Sequence, residues 1–253
     1  MAVGRGSTVG PVPRVLLTFD NLGEASELER GTWPQGEPVG RHPSVTEVLP
    51  PLLSELARRE LTATFFVEAI NCEMYPDALH EIAARGHELG VHGWRHEPWG
   101  ELSAEREREL LTRATEAFAT LGLPARGFRP PGGAATGATA DLLVELGYTW
   151  WSPERAVAGH PELVRRAFDW DLVDAYHLMA LFADLRRERG DPAQPLAPAQ
   201  AAERFARRLA RRRSGDERDV VVLHPFLMLD PAWFAQVREL LATIGGSQRH
   251  APP

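Results

Sequence analysis

Residues 87–98 read HELGVHGWRHEP. A short apolar run ends at Val91, and His92 follows it directly. A turn containing Gly93 and Pro98 comes next, and His96 lies four positions after His92. On one helical turn this spacing places both imidazoles on the same face, where they can share a metal ion. A ligand pair on a loop after a strand is also a common position for catalytic residues. Such a pair often arises by chance, so its interpretation depends on the rest of the chain.

Outward from this stretch, short apolar runs alternate with amphipathic segments. The predicted strands occupy residues 15–19, 62–68, 89–91, 127–129, 148–152 and 219–223. The predicted helices occupy residues 45–59, 75–85, 104–121, 140–146, 176–189, 200–213 and 231–246, with Ser103 as an N-cap. This alternation predicts an α/β fold with a mainly parallel sheet, open or closed into a barrel.

The composition is that of an ordinary globular protein. The chain has 253 residues, 43% of them hydrophobic and 25% charged. We expect one domain over residues 14–246, a flexible segment 1–13 and a tail 247–253. The net charge of -7 argues against a general nucleic-acid binder. No window is long and apolar enough for a membrane span, and no signal peptide is evident, so we expect a cytoplasmic protein.

Cysteine usage agrees with that expectation. The single cysteine, Cys72, excludes an internal disulfide, so nothing requires an oxidising compartment. The oligomeric state is left open by the sequence.

Four polar residues occupy equivalent places in this pattern. Asp20, His92, Arg129 and His224 each stand at or just after the end of a separate predicted strand. In parallel α/β folds the catalytic groups sit at the carboxyl ends of the strands. We therefore expect these four side chains to converge on one rim.

The same positions resemble a known family. The motifs are TFDN at residues 18–21, HGWRH at 92–96, RPPGG at 129–133 and LHP at 223–225. In this order they are similar to the TFDD, HxxxH, RxPxG and LxH signatures of the polysaccharide deacetylase family (NodB homology, carbohydrate esterase 4). The resemblance covers residues 14–245 and implies a distorted (β/α)7-type barrel.

The resemblance also implies roles for individual residues. Asp20 is expected to be the general base, held by Arg129, and His224 the general acid. An acidic residue should orient His224, with Asp174 as first choice and Asp169 and Asp171 as competitors.

A divalent metal, most often zinc with cobalt or nickel as alternatives, is expected on Asn21, His92 and His96. Asn21 departs from the family pattern, which has a second aspartate there. An asparagine can coordinate through its amide oxygen but brings no charge, and it can equally be a turn residue that caps the strand. Glu24 is close enough in sequence to be a substitute ligand or a substrate contact.

The implied activity is hydrolysis of a linear amide C–N bond. We expect N-deacetylation of an N-acetylated amino sugar or a small N-acyl metabolite. The expected substrate contacts are Glu24, Trp94, Pro131 and Trp170. One alternative is an allantoinase-like hydrolase of cyclic imides or ureides, and another is a non-catalytic carbohydrate-binding homologue. The arginines at 204–213 are expected to form a solvated helix face.

Overall fold

The computed structural model describes residues 15–210 and 218–249. The predicted flexible segment 1–13 lies outside these residues, as do Arg211–Arg213 and the last four residues of the predicted tail.

Seven parallel strands in the described part of the chain form one curled sheet, in the order β6-β5-β4-β3-β2-β1-β7. The strands are β1 (Val15–Asp20), β2 (Thr64–Val67), β3 (Glu88–Val91), β4 (Gly127–Phe128), β5 (Trp150–Trp151), β6 (Val164–Arg165) and β7 (Asp219–Leu223). No pairing between β6 and β7 is seen among these residues, so the sheet is a curled half-barrel. The predicted distorted (β/α)7 architecture is confirmed. The sequence gives no sign of β6, because this strand has only two residues and Val164 is exposed.

Helices fill most of the connections between the strands. They are α1 (Ala25–Glu29), α2 (Leu49–Arg58), α3 (Asn71–Met74), α4 (Pro76–Ala84), α5 (Ala104–Thr120), α6 (Thr139–Glu145), α7 (Asp174–Leu178), α8 (Ala183–Glu188), α9 (Pro198–Ala210) and α10 (Pro231–Arg249). A π-helical turn, Ser44–Val48, precedes α2, and 3-10 turns occupy Trp99–Glu101, Trp170–Leu172, Ala180–Phe182 and Pro225–Leu229.

Helix α5 shows how the sequence produces these elements. The predicted N-cap is confirmed, since Ser103 Oγ accepts a hydrogen bond from the amide of Arg106 at 3.3 Å. Leu110, Leu111 and Phe118 lie on one face and are fully buried. Burying side chains of this size contributes about 1.5–3 kcal/mol each to folding.

Two predicted helices differ from the structure. The segment 176–189, predicted as one helix, is divided into α7, a 3-10 turn and α8. The backbone is extended at Met179, and the 3-10 turn begins at Ala180. Helix α10 continues through Gly245 and Gly246 to Arg249, so the prediction that it stops there is wrong. Helix α9 is described from Pro198 to Ala210, and the predicted end at residue 213 lies outside the described residues.

The face of α9 also differs from the prediction, since some of its arginines are buried or paired. Arg208 is 8% exposed and lies 3.1 Å from Asp219, and Arg204 pairs with Asp191. No helix within residues 15–210 and 218–249 combines the length and hydropathy needed to cross a bilayer.

Candidate active site

The register of the sheet brings the residues that follow the paired strand ends into the site. The paired residues at the strand ends are Phe19 with Leu223, Val67 with Val91, Val91 with Phe128, and Phe128 with Trp151. The residues that follow them are Asp20, His224, Glu68, His92, Arg129 and Ser152. Asp20 pairs with Phe66, two positions before Glu68. Because side chains alternate between faces with period two, all six point to the same side of the sheet.

Asp20 is held in a buried ion pair. Arg129 Nη1 donates to Asp20 Oδ1 at 2.6 Å and to Thr18 Oγ1 at 2.8 Å. Arg129 Nη2 donates to Ser152 Oγ at 2.8 Å, so the guanidinium is fixed on both sides. Asp20 and Arg129 are 4% and 1% exposed, which removes most solvent screening from the pair. The second oxygen of Asp20 lies 3.9 Å from His92 Nε2.

His224 is oriented by Asp174. The backbone amide of His224 donates to Asp174 Oδ2 at 2.9 Å, and Nδ1 lies 2.5 Å from Oδ1. Trp233 Nε1 also donates to this carboxylate, at 3.3 Å. Burial lowers the pKa of His224, but the charge and hydrogen bond of Asp174, aided by Asp20, leave it raised above its ordinary value.

The two competitors for this role lie elsewhere. Asp169 pairs with Arg155 and Arg189, and Asp171 pairs with Arg189. Asp174, which hydrogen-bonds both the amide and Nδ1 of His224, is therefore the aspartate that orients this ring.

The histidine pair is presented by a loop rather than by the helical turn that the spacing suggested. Residues 92–98 contain no helix, and His96 has a φ of 76°. Both oxygens of Glu97 accept backbone amides of this loop, from Trp94 and Arg95, each at 3.0 Å. The loop brings the two imidazole centroids to 5.0 Å from each other.

The ring of His92 is oriented by the protein backbone. Its Nδ1 donates to the carbonyl oxygen of Arg129 at 2.8 Å, which leaves the Nε2 lone pair free. Burial lowers the pKa of His92 to about 3, and burial likewise lowers the pKa of His96. Both rings are therefore neutral near pH 7, the form that binds metals.

Glu68 joins this pair, and the sequence analysis missed it. Its carboxylate and the ring nitrogens of His92 and His96 offer donor atoms within 4.8 Å of one another. Burial raises the pKa of Glu68 well above its ordinary value against an opposing effect of backbone amides, and the charges of Asp20 and Glu97 raise it further. The signal was present: Glu68 directly follows β2, as His92 follows β3, but it was interpreted as the last residue of the strand.

The donor atoms fit a divalent cation. Glu68 Oε1 and Asn21 Oδ1 are buried and have no hydrogen-bond partner. Buried polar atoms are normally satisfied, and an unpaired buried carboxylate oxygen is costly. Two neutral imidazoles and a carboxylate form a donor set that zinc binds in catalytic sites. The residues present therefore suit a metal such as zinc.

A pocket with a cavity volume of about 180 Å³ opens beside these groups, and Glu68 is not among its lining residues. Asp20, Asn21, His92, His96, Arg129 and His224 are among its lining residues. A polar wall is formed by Ser26, Glu27 and Arg30. An apolar wall is formed by Phe168, Trp170, Met179, Leu181, Phe182 and Phe226. The pocket lining thus offers both polar and apolar contacts to a substrate.

A sequence model of the polysaccharide deacetylase family matches residues 9–151. The chain belongs to the polysaccharide deacetylase family. It is similar to a peptidoglycan deacetylase of Helicobacter pylori, with 27% identity over 127 residues that cover 50% of this chain and 43% of that protein. It is also similar to chitin deacetylase 1 of Saccharomyces cerevisiae, with 32% identity over 126 residues, 48% of this chain and 36% of that protein. The matches thus span less than half the length of these relatives.

A solved structure extends the likeness over nearly the whole chain. A Mycobacterium smegmatis protein assigned to the polysaccharide deacetylases superposes with a TM-score of 0.75 and 25% identity. The match covers 96% of this chain and 87% of that protein. The resemblance found in the motifs is therefore confirmed at the level of family and fold.

Within this deacetylase fold, three of the four expected substrate contacts lie outside the pocket lining. Glu24 is fully buried and accepts hydrogen bonds from the Tyr75 hydroxyl and from the Gly40 amide. Trp94 is 4% exposed and packs under the guanidinium of Arg113. Pro131 is buried, and its two neighbours in sequence line the pocket instead. The assignments of Glu24, Trp94 and Pro131 to substrate binding do not fit these positions, whereas Trp170 lines the pocket.

Proposed function

We propose that this protein is a metal-dependent hydrolase that removes an acetyl or similar acyl group from the nitrogen of an amino sugar or a small N-acyl compound. The observation that carries the proposal is the pairing of Asp20 with Arg129 and of Asp174 with His224 in one pocket beside His92 and His96. A protein that only bound carbohydrate would have no physical need for an aligned base and acid.

The roles follow from the hydrogen bonds. Asp20 takes a proton from the attacking water, and Arg129 keeps this carboxylate ionised and aimed through a charge-assisted bond. His224 holds Nδ1 toward Asp174, so its Nε2 faces outward to protonate the departing nitrogen. His92 and His96 would hold the metal through their free nitrogens. When bound, the metal polarises the amide carbonyl and lowers the pKa of water.

The pocket supports a compact substrate. Two segments far apart in sequence contribute to its lining: residues 26–30 supply Ser26, Glu27 and Arg30, and residues 168–182 supply most of the apolar contacts. An N-acetylated sugar ring has one apolar face and several hydroxyl groups. The apolar wall suits the face of the ring, and the polar wall suits the hydroxyls or an acidic substituent.

A direct test measures metal content and acetate release. The purified protein is assayed with N-acetylglucosamine, short chito-oligosaccharides and N-acetyl amino acids, with and without added zinc, cobalt or nickel. Asp20→Asn and His224→Gln are each expected to lower kcat by roughly 10² to 10⁴. Asp184→Asn, at a carboxylate that is 89% exposed on α8, is the control and should leave kcat unchanged.

Two results would count against this function. One is the absence of bound metal together with no acetate release under any of these conditions. The other is cleavage of cyclic imides that persists in the presence of a chelator, which would favour the ring hydrolase instead.

A further inference from the structure

We infer that Glu68, and not Asn21, supplies the anionic protein ligand of the metal site. The inference rests on the proposed metal-dependent function, but its test can fail independently of that function. The sequence led to Asn21, His92 and His96 as the ligand set. The structure brings a carboxylate to the same pair of imidazoles from a different strand.

The first support is the register between β2 and β3. Val67 pairs with Val91, so Glu68 and His92 are the next residues on adjacent parallel strands. Their side chains leave the same face of the sheet, and His96 reaches them through the loop that Glu97 holds. Among the histidine, cysteine, aspartate and glutamate side chains of the described residues, Glu68, His92 and His96 are the one such group close enough to share an ion.

The second support is the solvation of Glu68. Its side chain is 0% exposed, and Oε1 has no hydrogen-bond partner. Oε2 is 3.4 Å from Asn71 Nδ2, a long contact, and that amide donates a shorter bond of 2.7 Å to the carbonyl of Leu22. No ion pair to Glu68 is recorded in the described parts of the chain. A carboxylate in this position lowers the stability of the fold unless a cation compensates it.

The third support is the chemistry of the donor set. Two histidines and one glutamate leave one coordination position open on a tetrahedral zinc, as catalysis requires. With Glu68 present, the set carries a single negative charge, whereas Asn21 with two neutral imidazoles carries none. Asn21 Oδ1 is also buried without a hydrogen-bond partner, but this amide brings no charge to balance the cation. The φ of Asn21, 56°, is in the left-handed region that asparagine tolerates.

Zinc affinity of four variants tests the inference. Glu68→Gln keeps the shape of the side chain and removes its charge, and Asn21→Gly removes the amide without strain at positive φ. Zinc affinity is measured by competition with a chelating dye on protein stripped of metal. Glu68→Gln should weaken zinc binding by at least roughly 100-fold, above the cost of losing an outer partner of a ligand. Asn21→Gly should leave it close to the wild-type value, since this variant removes no charge from the proposed ligand set.

Glu107→Gln is the matched control, since Glu107 is a fully buried glutamate whose oxygens are satisfied by Thr136 and Thr139. It should leave zinc affinity unchanged. Glu68→Asp keeps the charge but shortens the reach, so its affinity should lie between those of wild type and Glu68→Gln. This second variant also gives a result if Glu68→Gln does not fold.

Stability of the stripped protein is an independent readout. Because Glu68→Gln removes an uncompensated buried carboxylate, its metal-free form should melt at the same temperature as the metal-free wild type or higher. Its melting temperature should no longer rise when zinc is added. A purely structural role for Glu68 gives the opposite pattern, with a lower melting temperature and a preserved zinc response.

The inference is overturned if Glu68→Gln and Glu68→Asp bind zinc like wild type, or if Asn21→Gly loses as much affinity as Glu68→Gln. A wild-type protein that binds zinc and releases acetate would keep the proposed function in either case. A wild-type protein that does neither would end both proposals.

Discussion

At the scale of single residues, Asp174 orients His224 through two hydrogen bonds and is itself held by Trp233. Its two oxygens accept the amide and the Nδ1–H of His224, and Trp233 adds a third donor. A fully buried carboxylate in this position favours the protonated imidazole and fixes which nitrogen faces the pocket.

Replacing Asp174 by asparagine should lower kcat by roughly 10² or more. The pKa of His224 should fall, because the charge that raises it is gone, so the alkaline limb of the rate–pH profile should move to lower pH. Trp233→Phe removes only the third donor and should leave that limb in place. An unshifted limb in Asp174→Asn would remove His224 from the role of general acid.

The same shift makes stability depend on pH. A raised native pKa contributes stability that is fully present below the unfolded value of about 6.5 and is lost as pH rises through the native pKa. Urea unfolding should therefore show a larger loss of stability in Asp174→Asn at about pH 5.5 than at about pH 9. Equal losses at both pH values would contradict the coupling of the two side chains.

Part of the site can be predicted from residue type and position in the sequence. Asp20, His92, Arg129 and His224 can be selected by their position after a strand. The sequence favours Asp174 over two nearby aspartates, and the fold supplies the two hydrogen bonds from His224 that distinguish it. Glu68 obeys the same positional rule but belongs to none of the family signatures, and its burial and unpaired oxygen cannot be read from a sequence. Single-residue patterns thus identify candidates, whereas partners and solvation require the fold.

At the scale of elements, the segment 21–43 is fastened by Glu24. This carboxylate accepts the Gly40 amide at 2.6 Å and the Tyr75 hydroxyl, which ties both ends of the segment to the body of the protein. The same segment presents Ser26 and Arg30 to the pocket. Its order should therefore affect both stability and substrate binding.

Glu24→Gln should lower the free energy of unfolding by about 1–3 kcal/mol, because buried donors lose a charged acceptor. KM should rise, since the polar wall of the pocket loses its anchor. Glu29→Gln changes an exposed glutamate at the end of α1, in the same segment, and should stay within about 0.5 kcal/mol of wild type in urea unfolding. Similar values for both variants would show that Glu24 does not fasten the segment.

The loop that carries His92 and His96 depends on a glycine at residue 93. Its φ is 74°, and an added Cβ would lie 2.7 Å from Glu97 Oε2, the oxygen that accepts the Trp94 amide. Gly93→Ala should therefore displace Glu97 and weaken zinc binding as well as stability. Gly86→Ala is the control, with a φ of 82° and open space around the Cβ. It should cost only the strain of about 1–2 kcal/mol, with zinc affinity unchanged.

Elements were predicted best where a pattern was long. The amphipathic run of α5 and the apolar run of β7 were placed correctly, since burial of one face or of a whole strand determines both. The H-x-x-x-H spacing suggested a helical turn. The left-handed backbone conformations of Gly93 and His96 instead form a loop, which also brings the two imidazoles close together. Short strands such as β6 leave too little sequence for a pattern to show.

At the scale of the whole molecule, the bound metal should stabilise the fold. A ligand that binds only the native state adds about 2.7 kcal/mol when its free concentration is 100-fold above Kd. For a chain of this size, chelation should then lower the melting temperature by roughly 5–10 °C. Far-UV circular dichroism at room temperature should not change. A double variant of His92 and His96 to alanine should lose this response, and a wild type insensitive to chelator would contradict the metal site.

Strand order has a consequence for how this protein is made. β1 lies between β2 and β7, and Thr18 donates a hydrogen bond to the carbonyl of Val221, 203 positions away in the chain. A ribosome must therefore synthesise the 203 positions that separate Thr18 from Val221 before β1 acquires its second neighbour. Such distant pairing is intrinsically slow, and until it forms, one edge of β1 stays open to other chains. Shortened translation products would leave that edge uncovered, so nascent copies should depend on chaperones until the last strand emerges.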